Sequence, residues 1–377
     1  MTNGFSFSRW LGILIKEFIQ LKRDRLTFGM IVGIPVVQLV LFGFAINSDP
    51  KHLPTAVIDA DRSEFSRLIV SRLATTDYFA FTTATDADGA ARLLAHGAVQ
   101  FVVTIPAGFS RALVRGERPS LMVEADATDP AATSNAIAAL GRIAQTALDR
   151  ELVGPLSPLA GATTPFDVVV HPMYNPEAIT QYNIVPGLMG VILTMTMVLM
   201  TGLAITRETE RGTMENLLAT PATPLEVMTG KIVPYVMIGL VQVSLILLLA
   251  RFLFGVPMIG SFAVLFAAVL LFIAANLTLG LTFSSIARNQ LQAMQMTFFF
   301  FLPSILLSGF MFPFRGMPGW AQAIGEVLPL THFLRIVRGL LLKGNGFAEV
   351  LPEVWPIAAF MLVVGLIGLK AFRGTLD

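Results

Sequence analysis

The densest polar chemistry in the sequence lies between residues 207 and 226, where charged side chains separate two long apolar stretches. Residues 207–211 alternate basic and acidic groups around one threonine. Further on, Thr223 can cap a helix, Pro224 suits its first position, and Glu226 completes a capping box. The pattern predicts a short, well-terminated helix that leads into the next apolar stretch and can transmit a push from a soluble partner. An ordinary solvated loop is the alternative interpretation.

A second group of charged side chains follows the fifth apolar stretch. His332, Arg335 and Arg338 fall near one face of a predicted helix, within a region of two short apolar segments, 319–327 and 330–342, interrupted by Pro318 and Pro329. These segments are too short to cross a membrane, which predicts re-entrant half-helices over 315–345. The three cations could meet an anionic headgroup or substrate, or they could simply lie at the membrane interface.

Enzymatic signatures are missing from the sequence. Gly230-Lys231 lacks the upstream glycine of a phosphate-binding loop. The four histidines are scattered without metal-ligand spacing, and there is no cysteine to serve as nucleophile, disulfide partner or thiolate ligand. Asp59 and Asp61 are better explained as a strand end and a turn. We therefore predict no catalytic residue, no metal site and no cofactor bound by this chain.

The elements that carry these groups are those of a membrane protein. Hydrophobic residues make up 54% of the chain, charged residues 14%, and the mean hydropathy is +0.71. A soluble globular chain rarely reaches such values. The net charge of +1 excludes a nucleic-acid partner on compositional grounds. The fold class predicted is therefore an α-helical polytopic membrane protein.

Six stretches are long and apolar enough to span a bilayer about 30 Å thick. They are residues 27–47, 184–206, 232–250, 262–287, 291–312 and 354–369. The sixth is short and relies on Lys370 and Arg373 reaching the interface. Residues 1–26 form an amphipathic segment that predicts a helix lying in the cytoplasmic interface, either as an elbow that a partner can push or as a simple anchor. A signal peptide is the less favoured alternative for this end.

The distribution of basic residues predicts the orientation of the spans. Eleven lie in flanks on the side of the N-terminus: Arg9, Lys16, Lys22, Arg23, Arg25, Arg207, Arg211, Lys231, Arg288, Lys370 and Arg373. Five lie on the other side: Arg251, Arg315, Arg335, Arg338 and Lys343. Both termini are therefore predicted to be cytoplasmic.

The long segment 48–182 is then extracytoplasmic. Its runs of β-favouring residues alternate with helical patterns, which predicts an inserted α/β domain with a mainly parallel sheet. The predicted strands are 55–59, 78–82, 99–105 and 120–124, and the predicted helices are 63–74, 86–96, 107–115 and 131–152. A stretch rich in proline and glycine then leads back to the membrane.

Polar residues inside the predicted spans are few, and none is ionisable. They are Gln38, Gln242, Asn276, Gln292, Gln295, Ser304 and Ser308. Ionisable groups inside a membrane usually mark proton or ion relays, so their absence argues against an ion-coupled transporter. Asn276, Phe298 and Ser308 are candidates for a substrate pathway, although hydrogen bonding between helices and contact with lipid explain such residues more often.

The stretch from Glu208 to Pro221, with Lys231 after it, resembles the E-x-E-x-G-T-x-E-x-L pattern of ABC-2 type transporter permeases. Gly212, Thr213, Glu215 and Leu217 stand in the matching places. The resemblance extends over the chain: one span, a large external domain, five more spans, and Leu302-Pro303-Ser304 followed by residues 307–310, Leu-Ser-Gly-Phe.

This resemblance implies the fold of an ABC-2 or type V exporter in the bacterial inner membrane. It implies a dimer with a second permease copy or a paralogue, and a separate ATP-binding subunit that carries ATP and Mg²⁺. The part of the chain expected to contact that subunit is a coupling segment, 207–231. Its candidate contact residues are Arg207, Glu208, Glu210, Arg211, Gly212, Thr213, Glu215, Leu217, Thr223, Glu226 and Lys231. A periplasmic adaptor protein and membrane lipid are further expected partners.

The function expected is export of a hydrophobic or amphipathic compound, such as a drug or lipid, driven by the ATP-binding subunit. His332, Arg335 and Arg338 are then candidates for an outer gate. Two other classes stay open. A membrane receptor or assembly protein would act through its external domain without an ATPase, and an ion-coupled secondary transporter would need an ionisable site within the membrane.

Overall fold

The computed structural model describes residues 50–83, 86–148, 164–177, 179–210 and 224–373. Its first part is an α/β region in which strands and helices alternate along the chain. The elements are β1 (Leu53–Asp59), α1 (Glu64–Ala74), β2 (Phe79–Thr83), α2 (Ala87–Ala95), β3 (Phe101–Ile105), α3 (Phe109–Val114), β4 (Ser120–Asp126), α4 (Pro130–Thr146) and β5 (Asp167–Met173).

The five strands form one sheet in the order β2-β1-β3-β4-β5, in which only the β3–β4 pair is antiparallel. The prediction of a mainly parallel sheet is confirmed, and four strands lie within two residues of their predicted bounds. The fifth, β5, was missed because it lies in the stretch assigned as the return to the membrane. It is an edge strand, which is where a sheet tolerates a proline such as Pro172.

Packing of aromatic and aliphatic side chains holds this region together without disulfides. Phe101 is fully buried at the centre of the sheet, with its ring 5.5 Å from that of Phe79. Phe109 and Phe166 meet edge to face at 5.7 Å on another part of the same core. The Ser63 hydroxyl caps α1 by accepting from the Ser66 amide at 3.1 Å. The region therefore has a hydrophobic core of its own.

The second part is a bundle of long apolar helices. They are α5 (Thr180–Glu210), α6 (Pro224–Phe252), α7 (Phe262–Ile286), α8 (Gln290–Leu307) and α11 (Phe347–Arg373). All five are long and apolar enough to cross a membrane. They correspond to the second to sixth predicted spans. The first predicted span, 27–47, and the amphipathic segment 1–26 lie outside the described residues.

Two predicted span boundaries are wrong. Helix α8 ends at Leu307, five residues before the predicted end, because Ser308 caps it and Gly309 follows with a φ of 82°, a left-handed conformation that suits glycine. Helix α11 begins at Phe347, seven residues before the predicted start, and passes through Pro352 and Pro356. It is therefore not a short span.

The earlier start of α11 also corrects the prediction that no ionisable residue lies within the spans. Glu349 and Glu353 both lie in the first two turns of this helix, inside the candidate span Phe347–Ala371. The predicted span was confined to residues free of charge, which placed its start directly after Glu353.

Helix α7 lies at the centre of the bundle and packs closely on α5. A Cβ atom added at Gly280 would lie 2.8 Å from the Val198 carbonyl oxygen, so glycine is needed where the two backbones approach. The rings of Phe272 and Phe333 stack at 4.0 Å. By contrast, α6 and α11 are mostly uncovered. In each of them only 17% of an 18-residue apolar stretch is buried, whereas the corresponding share for α5 is 61%. The outer faces of α6 and α11 are thus left for lipid or for another chain.

Between α8 and α11 the chain forms a 3₁₀ turn (Phe314–Gly316), α9 (Gly319–Gly325), α10 (Pro329–Arg338) and one π-helical turn (Gly339–Lys343). The two short helices coincide closely with the predicted half-helices. We call the end of the bundle that contacts the α/β region the sheet end. The opposite end, where α5 finishes and α8 begins, is the far end.

Candidate functional site

The sheet end carries a group of ionised side chains that come from three separate elements. His332 and Arg335 lie one turn apart on α10, Glu326 precedes that helix, and Glu353 projects from α11. Arg335 pairs bidentately with Glu326, with nitrogen to oxygen distances of 2.6 and 3.0 Å. It also lies 3.4 Å from a Glu353 oxygen. The Arg335 guanidinium stands over the Phe314 ring at 4.7 Å.

His332 is the most enclosed member of this group, with a side chain only 5% exposed. Its Nδ1 lies 2.5 Å from a Glu353 oxygen, and its Nε2 lies 2.8 Å from the Glu326 backbone carbonyl oxygen. A carbonyl oxygen only accepts, so Nε2 must carry a hydrogen. The ring is thereby held between a carboxylate and a carbonyl oxygen of the same chain.

Arg338 connects the bundle to the α/β region through a short chain of polar groups. One terminal nitrogen donates to the Gly309 carbonyl oxygen at 3.2 Å, and the other donates to the Asn183 amide oxygen. The Asn183 amide nitrogen in turn donates to Asp129 at 3.1 Å. Burial lowers the pKa of Arg338, while the Asp129 and Asp126 carboxylates oppose that shift. The Arg338 guanidinium thus donates to two neutral oxygens, and the Asp129 and Asp126 carboxylates stabilise its charge without contacting it directly.

Lys343 forms the strongest single link between the two parts. Its Nζ lies 2.5 Å from Asp126 at the end of β4, and the two side chains are 8% and 9% exposed. Nζ also donates to the Leu94 carbonyl oxygen at 3.3 Å. The other Asp126 oxygen accepts from the Thr128 amide and hydroxyl at 3.1 and 2.8 Å. Every charge of this pair is therefore matched in a site largely closed to water.

Tyr174 adjoins this ion pair, with its ring centroid 5.2 Å from the Lys343 nitrogen. Burial raises the pKa of the Tyr174 hydroxyl, and the nearby Asp126 and Glu124 carboxylates raise it further. Tyr174 therefore stays neutral at physiological pH and presents its ring face to the ammonium group.

A cavity of about 200 Å³ lies between the α/β region and these bundle elements. Gln100, Asp126 and Asp129 line it from the sheet side, and Arg315 and Arg338 from the bundle side. The Gln100 Oε1 and Arg338 Nε atoms are buried and have no hydrogen-bond partner among the described residues. Its polar lining suits ordered water. The cavity and the pairs around it form the joint between the two parts.

The six predicted pathway residues are only partly brought together. Arg335, Arg338 and Ser308 line the cavity, and His332 lies beside it through Glu353. Asn276 is fully buried within α7, where it donates to the Phe272 carbonyl oxygen, and Phe298 is 37% exposed on α8. Neither of these two lines the cavity. The carboxylates that His332 and Arg335 contact belong to this chain, so their charges are matched internally.

At the far end, the structure joins the last turn of α5 to the first turn of α8. The Gln290 amide donates to one Glu210 oxygen at 3.1 Å, and the Gln290 side chain donates to the other at 2.5 Å. Arg207 Nε donates to the Gln290 side-chain oxygen at 3.3 Å. The Glu210 carboxylate thus satisfies an amide at the start of α8, where a helix favours negative charge.

The other predicted coupling residues that the structure describes lie in two helices. Glu208 lies in α5, and Glu226 and Lys231 lie in α6. Helix α6 begins at Pro224, as predicted, and runs without a break into the third span. Residues outside the description are Arg211, Gly212, Thr213, Glu215, Leu217 and Thr223.

Sequence reasoning missed Gln290, Asp126, Asn183 and Glu353. Asn289-Gln290 carries a recognisable signal, because an asparagine before an apolar helix is a common cap, and Asn289 does accept from the Gln292 amide at 2.8 Å. Asp126 pairs with a residue 217 positions away, which no local pattern reveals. Among the described residues, no group of three His, Asp or Glu side chains could hold a metal ion.

Comparison with known proteins gives a consistent result over nearly the whole chain. Residues 25–370 match the model of the ABC-2 family transporter protein family. The chain is 32% identical to the probable multidrug ABC transporter permease YbhS of Escherichia coli, with 98% of each chain covered. It is 30% identical to the inner membrane transport permease YhhJ of the same organism, over 96% of each, and 27% identical to the permease YbhR, over 97% of this chain and 99% of YbhR.

Proposed function

The chain belongs to the ABC-2 family of transporter proteins and is a multi-pass membrane permease, and we propose that it works as the permease subunit of an ATP-driven exporter. A separate ATP-binding subunit, which the permease relatives imply, hydrolyses ATP with Mg²⁺. The present chain supplies the path, and its substrate is a hydrophobic or amphipathic compound such as a drug or lipid. The name of YbhS supports a multidrug substrate range.

The observation that carries this proposal is the contact of Glu210 and Arg207 with Gln290. It ties the start of the coupling segment, 207–231, to the first residue of α8. Helix α8 has 18 residues, about 27 Å at 1.5 Å per residue, and ends at Leu307, next to Ser308 in the lining of the sheet-end cavity. A displacement of the coupling segment by the ATP-binding subunit can therefore reach the sheet end through one rigid helix.

The charges at the sheet end support its placement outside the cytoplasm. The positive-inside rule counts basic residues in short loops, and five lie at this end. Eleven basic residues lie in the flanks on the other side, so the rule favours the cytoplasm for that side. In this orientation the α/β region is extracytoplasmic, both termini are cytoplasmic, and α9 and α10 are re-entrant helices covered by the bundle. Six spans result when 27–47 is included.

The partners proposed follow from the same arrangement. A second copy or a paralogue completes the path by packing on the exposed apolar faces of the bundle, and lipid covers the rest. The α/β region has its own core and offers a large surface outside the membrane for a periplasmic adaptor protein.

Reconstitution with a co-expressed ATP-binding protein tests the proposal. The purified chain alone should not hydrolyse ATP, and the complex should hydrolyse ATP and export substrate. Glu215→Lys and Gly212→Trp should abolish stimulation of hydrolysis while insertion stays normal. Glu117→Gln, which opens an ion pair exposed on the α/β region, is the matched control. Hydrolysis by the chain alone, or full export by both coupling variants, would contradict the proposal.

Cysteine labelling tests the orientation directly, because the chain has no natural cysteine. Asp88 is exposed on α2, so the Asp88→Cys variant should react with a membrane-impermeant thiol reagent added to intact cells. The Asn216→Cys variant, in the coupling segment, should react only after the membrane is opened. The reverse pattern would overturn the orientation and the placement of the coupling segment together.

An ion-coupled transporter is the alternative that a described feature favours. His332 contacts Glu353 in the first two turns of α11, and Glu353 is an ionisable residue within the candidate span Phe347–Ala371. Vesicles containing the chain alone separate the two functions. Uptake driven by a pH gradient without any ATP-binding protein would favour ion coupling, whereas transport that requires ATP and the partner favours the exporter. A receptor or assembly protein would show neither.

A further inference from the structure

We propose that the groove between α6 and α7 at the sheet end binds an anionic phospholipid, with the lipid phosphate on Arg251. The groove has a volume of about 860 Å³, within the range of ligand pockets in proteins. Its walls are apolar, with Leu240, Leu247, Phe266 and Val269 among them. Arg251 is the one ionisable side chain in its lining. The proposal adds a lipid site to the transport function and does not rest on ATP-driven export.

The position of Arg251 gives the groove a polar end. Arg251 is the second-last residue of α6 and is exposed. The groove continues from it along α6 to Leu240, three helical turns towards the middle of the apolar stretch. A molecule with a charged head and a long apolar tail matches this shape, since the tail follows the helices and the head stays at their ends.

The charge of Arg251 is not matched within the described chain. No described residue forms an ion pair or side-chain hydrogen bond with it. Three carboxylates of the described bundle residues lie at this end, and each has another partner. Glu326 pairs with Arg335, Glu353 contacts His332, and Glu349 accepts from the Gly346 amide at 2.8 Å.

A phosphate diester is the anion that fits here. A guanidinium binds phosphate oxygens through two parallel hydrogen bonds, and such charge-assisted bonds are stronger than neutral ones. The phosphate of a phospholipid lies at the level where α6 ends, and its acyl chain can fill the groove. A phospholipid with net negative charge is preferred over a zwitterionic one, because a zwitterionic headgroup brings its own ammonium ion near the guanidinium.

The surroundings of the groove also suit lipid. Only 17% of the apolar window of α6 is buried. Phe252 and Phe262 flank the groove with exposed fractions of 83% and 60%. A second copy of the chain is the competing occupant of this face. It would bring the same bundle carboxylates, all of which are already engaged, and would leave Arg251 without a counter-ion.

The test uses the full chain in nanodiscs of phosphatidylcholine with a trace of photoactivatable phosphatidylglycerol, without ATP or partner. Illumination should label the peptide that covers 240–269. Arg251→Gln should lower that labelling about tenfold, as expected for the loss of about 1.4 kcal/mol of charge-assisted bonding. Ser244→Trp, which fills the groove without changing charge, should lower it as well. Arg288→Gln, an exposed arginine at the far end, is the matched control and should leave labelling unchanged.

Each other outcome overturns the proposal. Equal labelling by a photoactivatable phosphatidylcholine, or full labelling of the Arg251→Gln variant, would mean that the groove takes acyl chains without reading the headgroup. Cross-links between two copies of the 240–269 peptide in place of lipid labelling would assign the face to a second copy. Unchanged labelling of Ser244→Trp would place the lipid elsewhere on the bundle.

Discussion

The two ends of the bundle use the same residue types in opposite ways. At the sheet end, Lys343 meets Asp126 from a distant part of the chain, and both side chains are almost closed to water. At the far end, Glu210 contacts the start of α8 and the contact is exposed. A charge buried against its own chain needs a partner, whereas an exposed one costs little and stays available to another protein. The sheet end is therefore a structural joint, whereas the far end is the surface at which the ATP-binding subunit is proposed to dock.

The joint also explains why charged side chains can lie beside an apolar bundle. Removing a carboxylate and an ammonium group from water costs several kcal/mol each, and only close pairing with further hydrogen bonds offsets that cost. Asp126 has both the ammonium group and Thr128, and Lys343 has both Asp126 and the Leu94 carbonyl. The α/β region is thereby fixed to α10 and its π-helical turn, so the two are expected to move together.

The largest expected effect comes from breaking that pair. Lys343→Met should lower the free energy of unfolding by about 3 kcal/mol, because Asp126 would remain as a buried carboxylate without its counter-ion. Thermal unfolding of the purified full chain, compared at one detergent composition, measures the loss.

A double variant distinguishes the loss of the ion pair from a general destabilisation of the fold. Replacing both residues, Lys343→Met with Asp126→Met, should recover much of the stability, since an apolar pair needs no counter-ion. Glu117→Gln opens an exposed pair with Arg115 and should leave the melting temperature unchanged. If Lys343→Met melts like the Glu117→Gln control, the sheet end is not a structural joint.

The start of α6 at Pro224 was predicted correctly, whereas the pairs of the sheet end were missed, and the reason is physical. A helix start is marked by neighbouring residues, so it can be predicted from a short stretch of sequence. The sheet end is assembled from Asp126, Asn183, Arg338 and Lys343, whose pairing depends on the tertiary fold. Five helices followed from long apolar stretches and four strands from runs of β-favouring residues, whereas β5 contains Pro172 and follows a proline- and glycine-rich stretch assigned as the return to the membrane.

A smaller effect is expected from Glu353→Gln. The amide keeps a hydrogen bond to His332 and removes only the charge, and Arg335 keeps Glu326 as its partner. The loss of stability should therefore be about 1 to 2 kcal/mol. The measurement is again thermal unfolding, with Glu353→Ala as the harsher comparison that also removes the hydrogen bond. Equal melting temperatures for the wild type and Glu353→Ala would show that the contact between His332 and Glu353 contributes as little to stability as an exposed ion pair.

A local surface carboxylate gives a smaller, pH-dependent effect. Burial alone would raise the pKa of Asp61, but hydrogen bonds from Ser63 and Ser110 outweigh it and lower the pKa. Because the folded pKa lies below the unfolded one, its contribution, which is small because the carboxylate is mostly exposed, is present above the unfolded pKa. It disappears as the pH falls through the folded pKa. The melting temperatures of wild type and Asp61→Asn should thus converge on acidification, and a difference that persists in acid would contradict this account.

The smallest change in stability, and the clearest change in function, is expected from Glu210→Ala at the far end. Its contact with Gln290 is exposed, so its removal should alter the free energy of unfolding by less than about 0.5 kcal/mol. The same change disconnects α5 from α8 where the ATP-binding subunit is proposed to push, so stimulation of ATP hydrolysis should fall several-fold. Gln290→Ala keeps the carboxylate but loses the side-chain bonds, so it should show a weaker form of the same defect. A Glu210→Ala variant that melts several degrees lower, with coupling intact, would make the far end a joint like the sheet end and remove the contrast between them.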